Sequence, residues 1–292
     1  MMRILKLNKI ALVMACALAI ASTEIASAGV MYSTDTTLTT GTIDRFFMEG
    51  DITVTVPAGE TVLVSSADRY PSSYTDNGAP SSNTLDVYGT LNFDTGHALG
   101  AGDWPVSDEE EGTINIHETG VINAALLFTG TRMKSTVNIW GTLNVNRGGT
   151  NTGGTSYGAS GPSIYMRTGL EPEGDNFINQ YPGSHVEAET GDKTIDLSVS
   201  GKAGGEYNMM GGTLIVADIL NGTSNPNMFF NFSGGTVIIE GQDRTDVINE
   251  SWWNGAASAL FDGVNTTITI PEPGGLLLLS TGCLAMLFRR RR

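Results

Sequence analysis

The residues of this chain that could do chemistry are spread thinly. The densest acidic run is Asp108-Glu109-Glu110-Glu111, and Glu171, Glu173 and Asp175 form a second acidic loop. Hard cations take carboxylate oxygens, so the run from Asp108 to Glu111 is a candidate Ca²⁺ site. It lacks the alternating spacing and the glycine of a calcium loop, which favours a solvated loop. His97, His117 and His185 show no HxH or HxxxH spacing. Zinc would need them to converge in space with a carboxylate, and we expect no metal site from them. The many serines stand in no GxSxG elbow. Glycosidases need two carboxyls at a set separation, and lyases on coiled β scaffolds use clustered carboxylates or a basic residue beside bound calcium. The lysines between the two chain ends are Lys134, Lys193 and Lys202. Asp86, Asn115 and Asn138 occupy matching positions of a repeat, but one acid among three fits a polar ladder better than an active site. No catalytic residue and no cofactor emerges, and the expectation is a protein that is not an enzyme.

The aromatics offer a different chemistry. Tyr88 and Trp140 both stand just before a glycine, at the same position of the repeat. On stacked coils they would lie near one another and could contact carbohydrate. Packing of a corner is the plainer reading of the same residues. Trp104 and Trp252-Trp253 carry the same two readings.

The elements that would position these residues are short strands. Ile52-Thr53-Val54-Thr55-Val56 alternates with period 2 and ends at Pro57-Ala58-Gly59. A motif of strand, glycine corner and strand then recurs. Its copies are Thr84–Phe93, Thr113–Ala124 and Thr136–Val145, with later segments at Thr194–Val199, Gly211–Val216 and Gly234–Ile239. Thr113 and Thr136 are 23 residues apart, as are Thr213 and Thr236. That length suits one coil of a right-handed parallel β-helix or similar solenoid, whose units bury their apolar face only by stacking. The alternative is an antiparallel β-sandwich in which each glycine is a hairpin turn. Pro71 to Asn83 reads as a polar loop, His97 to Gly112 and Arg147 to Gly183 as loops leaving the rod, and Gln242 to Gly263 as a cap on its end.

Charge and cysteine sharpen the picture. Residues 29–270 hold nine basic and 29 acidic residues, a net charge near −20. Such a surface repels nucleic acid and suits solubility, bound cations or a basic partner. Cys16 and Cys283 both lie outside this body, which has no disulfide framework.

Both ends look like addresses. Arg3, Lys6 and Lys9 precede an apolar stretch from Ile10 to Ile20, and Ala26-Ser27-Ala28 fits the small-x-small cleavage rule. We expect residues 1–28 to be a signal peptide cut after Ala28, with Ala26 and Ala28 at the cleavage positions. At the other end Pro271-Glu272-Pro273 precedes an apolar run from Gly274 to Phe288 and then Arg289, Arg290, Arg291 and Arg292. That run is shorter than the ~20 residues usual for a spanning helix, but flanking arginines can snorkel. They also favour a cytoplasmic C-terminus.

The tripeptide, the short apolar run and the arginine cluster, in this order, resemble the PEP-CTERM sorting signal. The resemblance implies recognition of residues 271–292 by an exosortase-like membrane enzyme acting near the tripeptide. It further implies a short C-terminal transmembrane helix before processing, and delivery to the cell surface or the exopolysaccharide matrix. It gives an address and no activity for the body. The body, residues 29–270, is loosely similar in composition to β-helical bacterial surface proteins. The expectation is therefore an exported, acidic, all-β surface or biofilm-matrix protein, structural or adhesive, that associates with exopolysaccharide. The competing expectation is a polysaccharide lyase or glycoside hydrolase on the same scaffold.

Overall fold

The structure is a computed structural model. It describes residues 30–44, 46–65, 71–73, 82–93, 98–101, 111–129, 134–145, 163–166, 176–188, 194–197, 205–220, 228–244, 247, 255 and 257–270. These residues form an all-β body of four sheets whose strands are almost all parallel, with no α-helix among them. None of them belongs to a helix long and apolar enough to cross a membrane. The signal and tail segments lie outside the described residues.

From residue 82 to 220, successive strands take the first, second and third face in turn. The first face stacks Thr36–Thr37, Thr53–Val56, Ser82–Val87, Glu111–Ile116, Lys134–Ile139, Asn176–Gln180, Gly205–Met209 and Met228–Phe232, all parallel. The second runs from Gly41–Ile43 through Thr61–Val64, Thr90–Phe93, Val121–Ala124, Thr142–Val145, His185–Ala188 and Thr213–Val216 to Gly235–Ile239. The third holds Ala98–Ala101, Leu126–Thr129, Ile164–Met166, Thr194–Asp196 and Asp218–Leu220. Val30–Tyr32, Phe46–Met48 and Pro71–Ser73 form a separate parallel sheet at the N-terminal end. A chain whose every third strand pairs in parallel must coil, which is the order of a solenoid-like body. The glycines therefore join strands of different sheets and are not hairpin turns. The exception is at the C-terminal end, where Thr266–Ile270 pairs antiparallel with both Gly235–Ile239 and Ser258–Phe261.

Thr, Val and Ile dominate because a pleated, half-buried surface suits them. Within Thr53–Val56 and Thr142–Val145 inward residues are buried and the intervening ones half-exposed. On the first face Val54, Leu85, Ile114, Val137 and Ile178 stack in register, followed by Tyr207 and Phe230, all buried. Burying each such side chain stabilises the body by about 1.5–3 kcal/mol, and no single coil could do so alone. The 23-residue offsets are single coils: Thr113 pairs with Thr136, and Thr213 with Thr236.

The expected insertions contain more structure than their composition suggests. Ala98–Ala101 lies within the segment read as a loop from His97, and Ile164–Met166 and Asn176–Gln180 lie within Arg147–Gly183. Pro71–Ser73 and the start of Ser82–Val87 fall inside the expected polar loop. Thr194–Asp196 is a third-face strand and not a further copy of the first-face motif. Pro71–Ser73, Ile164–Met166 and Thr194–Asp196 escape a period-2 reading because each has only three residues, whereas Asn176–Gln180 does alternate in burial and was hidden by the loop-like composition before it. In the segment read as a cap, Val247 is buried and Ser258–Phe261 forms the outer strand of the terminal hairpin. Trp252-Trp253 and Trp104 lie outside the described residues.

Candidate functional site

The corner between the first and second faces gathers the chain's candidate side chains. Two-residue corners, Tyr88-Gly89 and Trp140-Gly141, alternate with four-residue corners, His117–Gly120 and Tyr181–Ser184. Backbone N–H groups of Tyr88, His117, Trp140 and Tyr181 donate to carbonyls of the preceding coil at 2.8–2.9 Å, which places one ring per coil at the same height. Glycine is required here by proximity. A Cβ on Gly141 would lie 2.2 Å from the His117 carbonyl oxygen and 2.3 Å from that of Gly120. One on Gly89 would lie 2.2 Å from the Pro57 oxygen.

The rings form a column. Tyr88 and His117 stack at 3.8 Å between centroids with planes 5° apart. His117 and Trp140 follow at 5.9 Å and 14°, and Trp140 and Tyr181 at 4.4 Å and 11°. Parallel rings 5.9 Å apart are slipped sideways, so the indole of Trp140 is not covered by the smaller imidazole across its whole face. Tyr88, His117, Glu118, Thr119 and Trp140 line an open recess on this side of the column. The structure thus brings Tyr88 and Trp140 into one array, as the repeat implied, but with His117 between them.

Beside the column runs a ladder of side-chain amides. Asn115 donates to Asp86 at 2.9 Å, Asn138 to Asn115 at 2.9 Å, and Asn179 to Asn138 at 3.0 Å. Asn208 donates to Asn179 at 3.1 Å and Asn231 to Asn208 at 2.8 Å. Every amide points its N–H toward the N-terminal end, so the dipoles add and the Asp86 carboxylate closes their positive end. A second, shorter ladder on the second face links Asn144 to Asn123 at 2.8 Å and Asn123 to Asn92 at 2.6 Å. Asp86 also lies 3.0 Å from His117 Nε2, which joins ladder and column at one carboxylate. Further along, the buried Tyr207 hydroxyl donates to Gln180 Oε1 at 2.8 Å, and burial pushes its pKa above the usual phenol value.

Of the acidic run, Glu111 begins a strand and faces Lys134 at 3.5 Å, with both side chains about half exposed, a pair of little energetic weight. Asp108, Glu109 and Glu110 lie outside the described residues, as do Ala26, Ala28, Pro271, Glu272, Pro273 and Arg289 to Arg292. Among the described residues no three His, Cys, Asp or Glu side chains gather as metal ligands. His185 pairs with Glu187 at 3.1 Å on the second face, two coils on from His117. His117 and Tyr181 belong to the column, and Asn179, Asn208 and Asn231 to the ladder, yet sequence reasoning missed them. Aligning the first residue of every corner, and the second-last residue of every first-face strand, would have found them. No family model, curated protein or solved structure matches the chain.

Proposed function

We propose that this chain is an exported structural or adhesive component of the cell surface or extracellular matrix. In this reading a signal peptide is removed after Ala28, and residues 271–292 hold the protein in the membrane by a short helix until an exosortase-like enzyme acts near Pro271-Glu272-Pro273. The body is then released to associate with exopolysaccharide. The coils wind right-handed, as connections between parallel strands of one sheet almost always do. Support for the address comes from the two ends of the sequence. Support for the role comes from one observation above others: the ladder from Asp86 to Asn231, in which polar side chains on the outer surface are spent on each other, coil to coil. Such a surface serves cohesion of a rod and leaves few groups poised for reaction.

The alternative, a polysaccharide lyase or hydrolase, would have to rest on Asp86 and His117, the carboxylate–imidazole pair beside the open recess. Cells lacking the protein are compared with cells carrying it and cells carrying Asp86→Asn. A structural role predicts a matrix that sheds polysaccharide when the protein is missing and is restored by Asp86→Asn. An enzyme predicts release of unsaturated or reducing sugar ends that Asp86→Asn abolishes.

A further inference from the structure

The recess at the ring column has a charge and shape that narrow the polysaccharide it fits. His117 and Trp140 line it, and at 5.9 Å between centroids the smaller imidazole leaves part of the Trp140 face uncovered. Tyr88, 38% exposed and stacked on His117 at 3.8 Å, lines it as well. Glu118 and Thr119 stand at the rim, both exposed. Glu118 makes no hydrogen bond or ion pair among the described residues, so its carboxylate is free to meet a ligand. No Lys or Arg occurs in any of the corner segments 57–60, 88–89, 117–120, 140–141, 181–184, 210–212 and 233–234. Asp86, behind the imidazole, adds a second negative charge. Residues 29–270 as a whole carry a net charge near −20.

A flat indole surface takes the C–H face of a saturated ring, and a carboxylate at its rim takes a donor on that ring. The charge decides which ring. Uronic or sulfated sugars would bring anions against Glu118, Asp86 and an acidic body. A neutral sugar would leave Glu118 with a weaker hydroxyl contact in place of an ammonium. We propose, building on the matrix reading above, that the recess lined by Tyr88, His117 and Trp140 binds a positively charged amino sugar of a polysaccharide. The ring lies on the uncovered indole of Trp140, the ammonium lies on Glu118, and the Thr119 oxygen, whose own hydrogen goes to the Tyr88 carbonyl, accepts from a ring hydroxyl. The lone ammonium of a lysine-rich peptide would satisfy Glu118 but would leave the indole wall without a ring to cover it.

The test is calorimetric titration of the protein purified from its own host. The probes are glucosamine oligomers, N-acetylglucosamine oligomers, oligogalacturonate and oligolysine, each at low and high salt. The expected result is binding of glucosamine oligomers at least ten-fold tighter than the other three. Glu118→Gln, a surface change that leaves the column intact, weakens it at least ten-fold, as does Trp140→Ala. Salt weakens the wild type more than Glu118→Gln. Equal binding of acetylated and free oligomers, unmoved by Glu118→Gln, would overturn the charge assignment and keep a neutral-sugar site. Oligolysine binding as tightly as the glucosamine oligomers would replace the sugar with any polycation. No binding of any probe by a protein still found in the matrix would sink this inference alone, whereas a protein absent from the matrix would sink the reading it builds on.

Discussion

Replacing Gly141 by alanine probes the closeness of the coils at the corner. The new methyl would lie 2.2 Å from the His117 carbonyl oxygen and 2.3 Å from that of Gly120, both well inside the 3.0 Å that real Cβ atoms keep. Both oxygens are backbone of the preceding coil, so no side-chain rotation relieves the overlap. Overpacked cores lose about 1–3 kcal/mol when side chains can yield. Here the coils must separate, and the expected loss is at least about 3 kcal/mol, since the backbone offers no such escape. Gly59→Ala is the control. Gly59 has φ +84° and open space around it, so the change adds only the left-handed penalty of about 1–2 kcal/mol. Urea titrations followed by far-ultraviolet circular dichroism, compared at equal m-value, read both losses. Equal destabilisation by the two variants would refute the claim that close approach, and not backbone conformation, selects glycine at this corner.

Asn138→Ala removes the donor to Asn115 and the acceptor for Asn179, and should cost about 1–3 kcal/mol in the same titration. Asn231→Ala ends the ladder one bond early in an exposed place and should cost less than half of that. Tyr207→Phe strands Gln180 Oε1 in the core and should cost about 1–3 kcal/mol at neutral pH. Because burial raises the Tyr207 pKa, the unfolded chain gives up that proton first, and stability is full below about pH 10 and falls as pH rises above it. The wild type should therefore lose stability above pH 10 more steeply than Tyr207→Phe, as alkaline denaturation will show. At the terminal hairpin, N–H donation from Asn265 and Val264 holds the Asp262 carboxyl below its usual range. That support is present above the ordinary carboxylate pKa and is lost as pH falls through the lowered value. Hydrogen exchange in Ser258–Ile270 should then accelerate in acid more in the wild type than in Asp262→Asn.

How much of this was legible in the sequence differs by element. Strands that alternate around a glycine announced themselves, because the inward Val, Leu and Ile repeat against outward Thr and Asn. The equal offsets of Thr113 to Thr136 and Thr213 to Thr236 measured the coil. Asp86, Asn115 and Asn138 were readable as a ladder for the same reason. The third face was not, since Leu126–Thr129 is buried throughout and Ile164–Met166 is embedded in residues of loop-like composition. The column was half legible. Tyr88 and Trp140 precede glycine directly, but His117 and Tyr181 open four-residue corners, and that change in spacing hid their equivalence.

The proposed function makes the tail a sorting device and the body a matrix component. Intact mass of the protein from native cells, taken separately from membrane and extracellular fractions, tests it most directly. The expected result is extracellular protein that begins at Gly29 and has lost the residues beyond the Pro271–Pro273 tripeptide, with unprocessed tail confined to the membrane. A full-length C-terminus in every fraction, or protein found in the membrane alone, would contradict it.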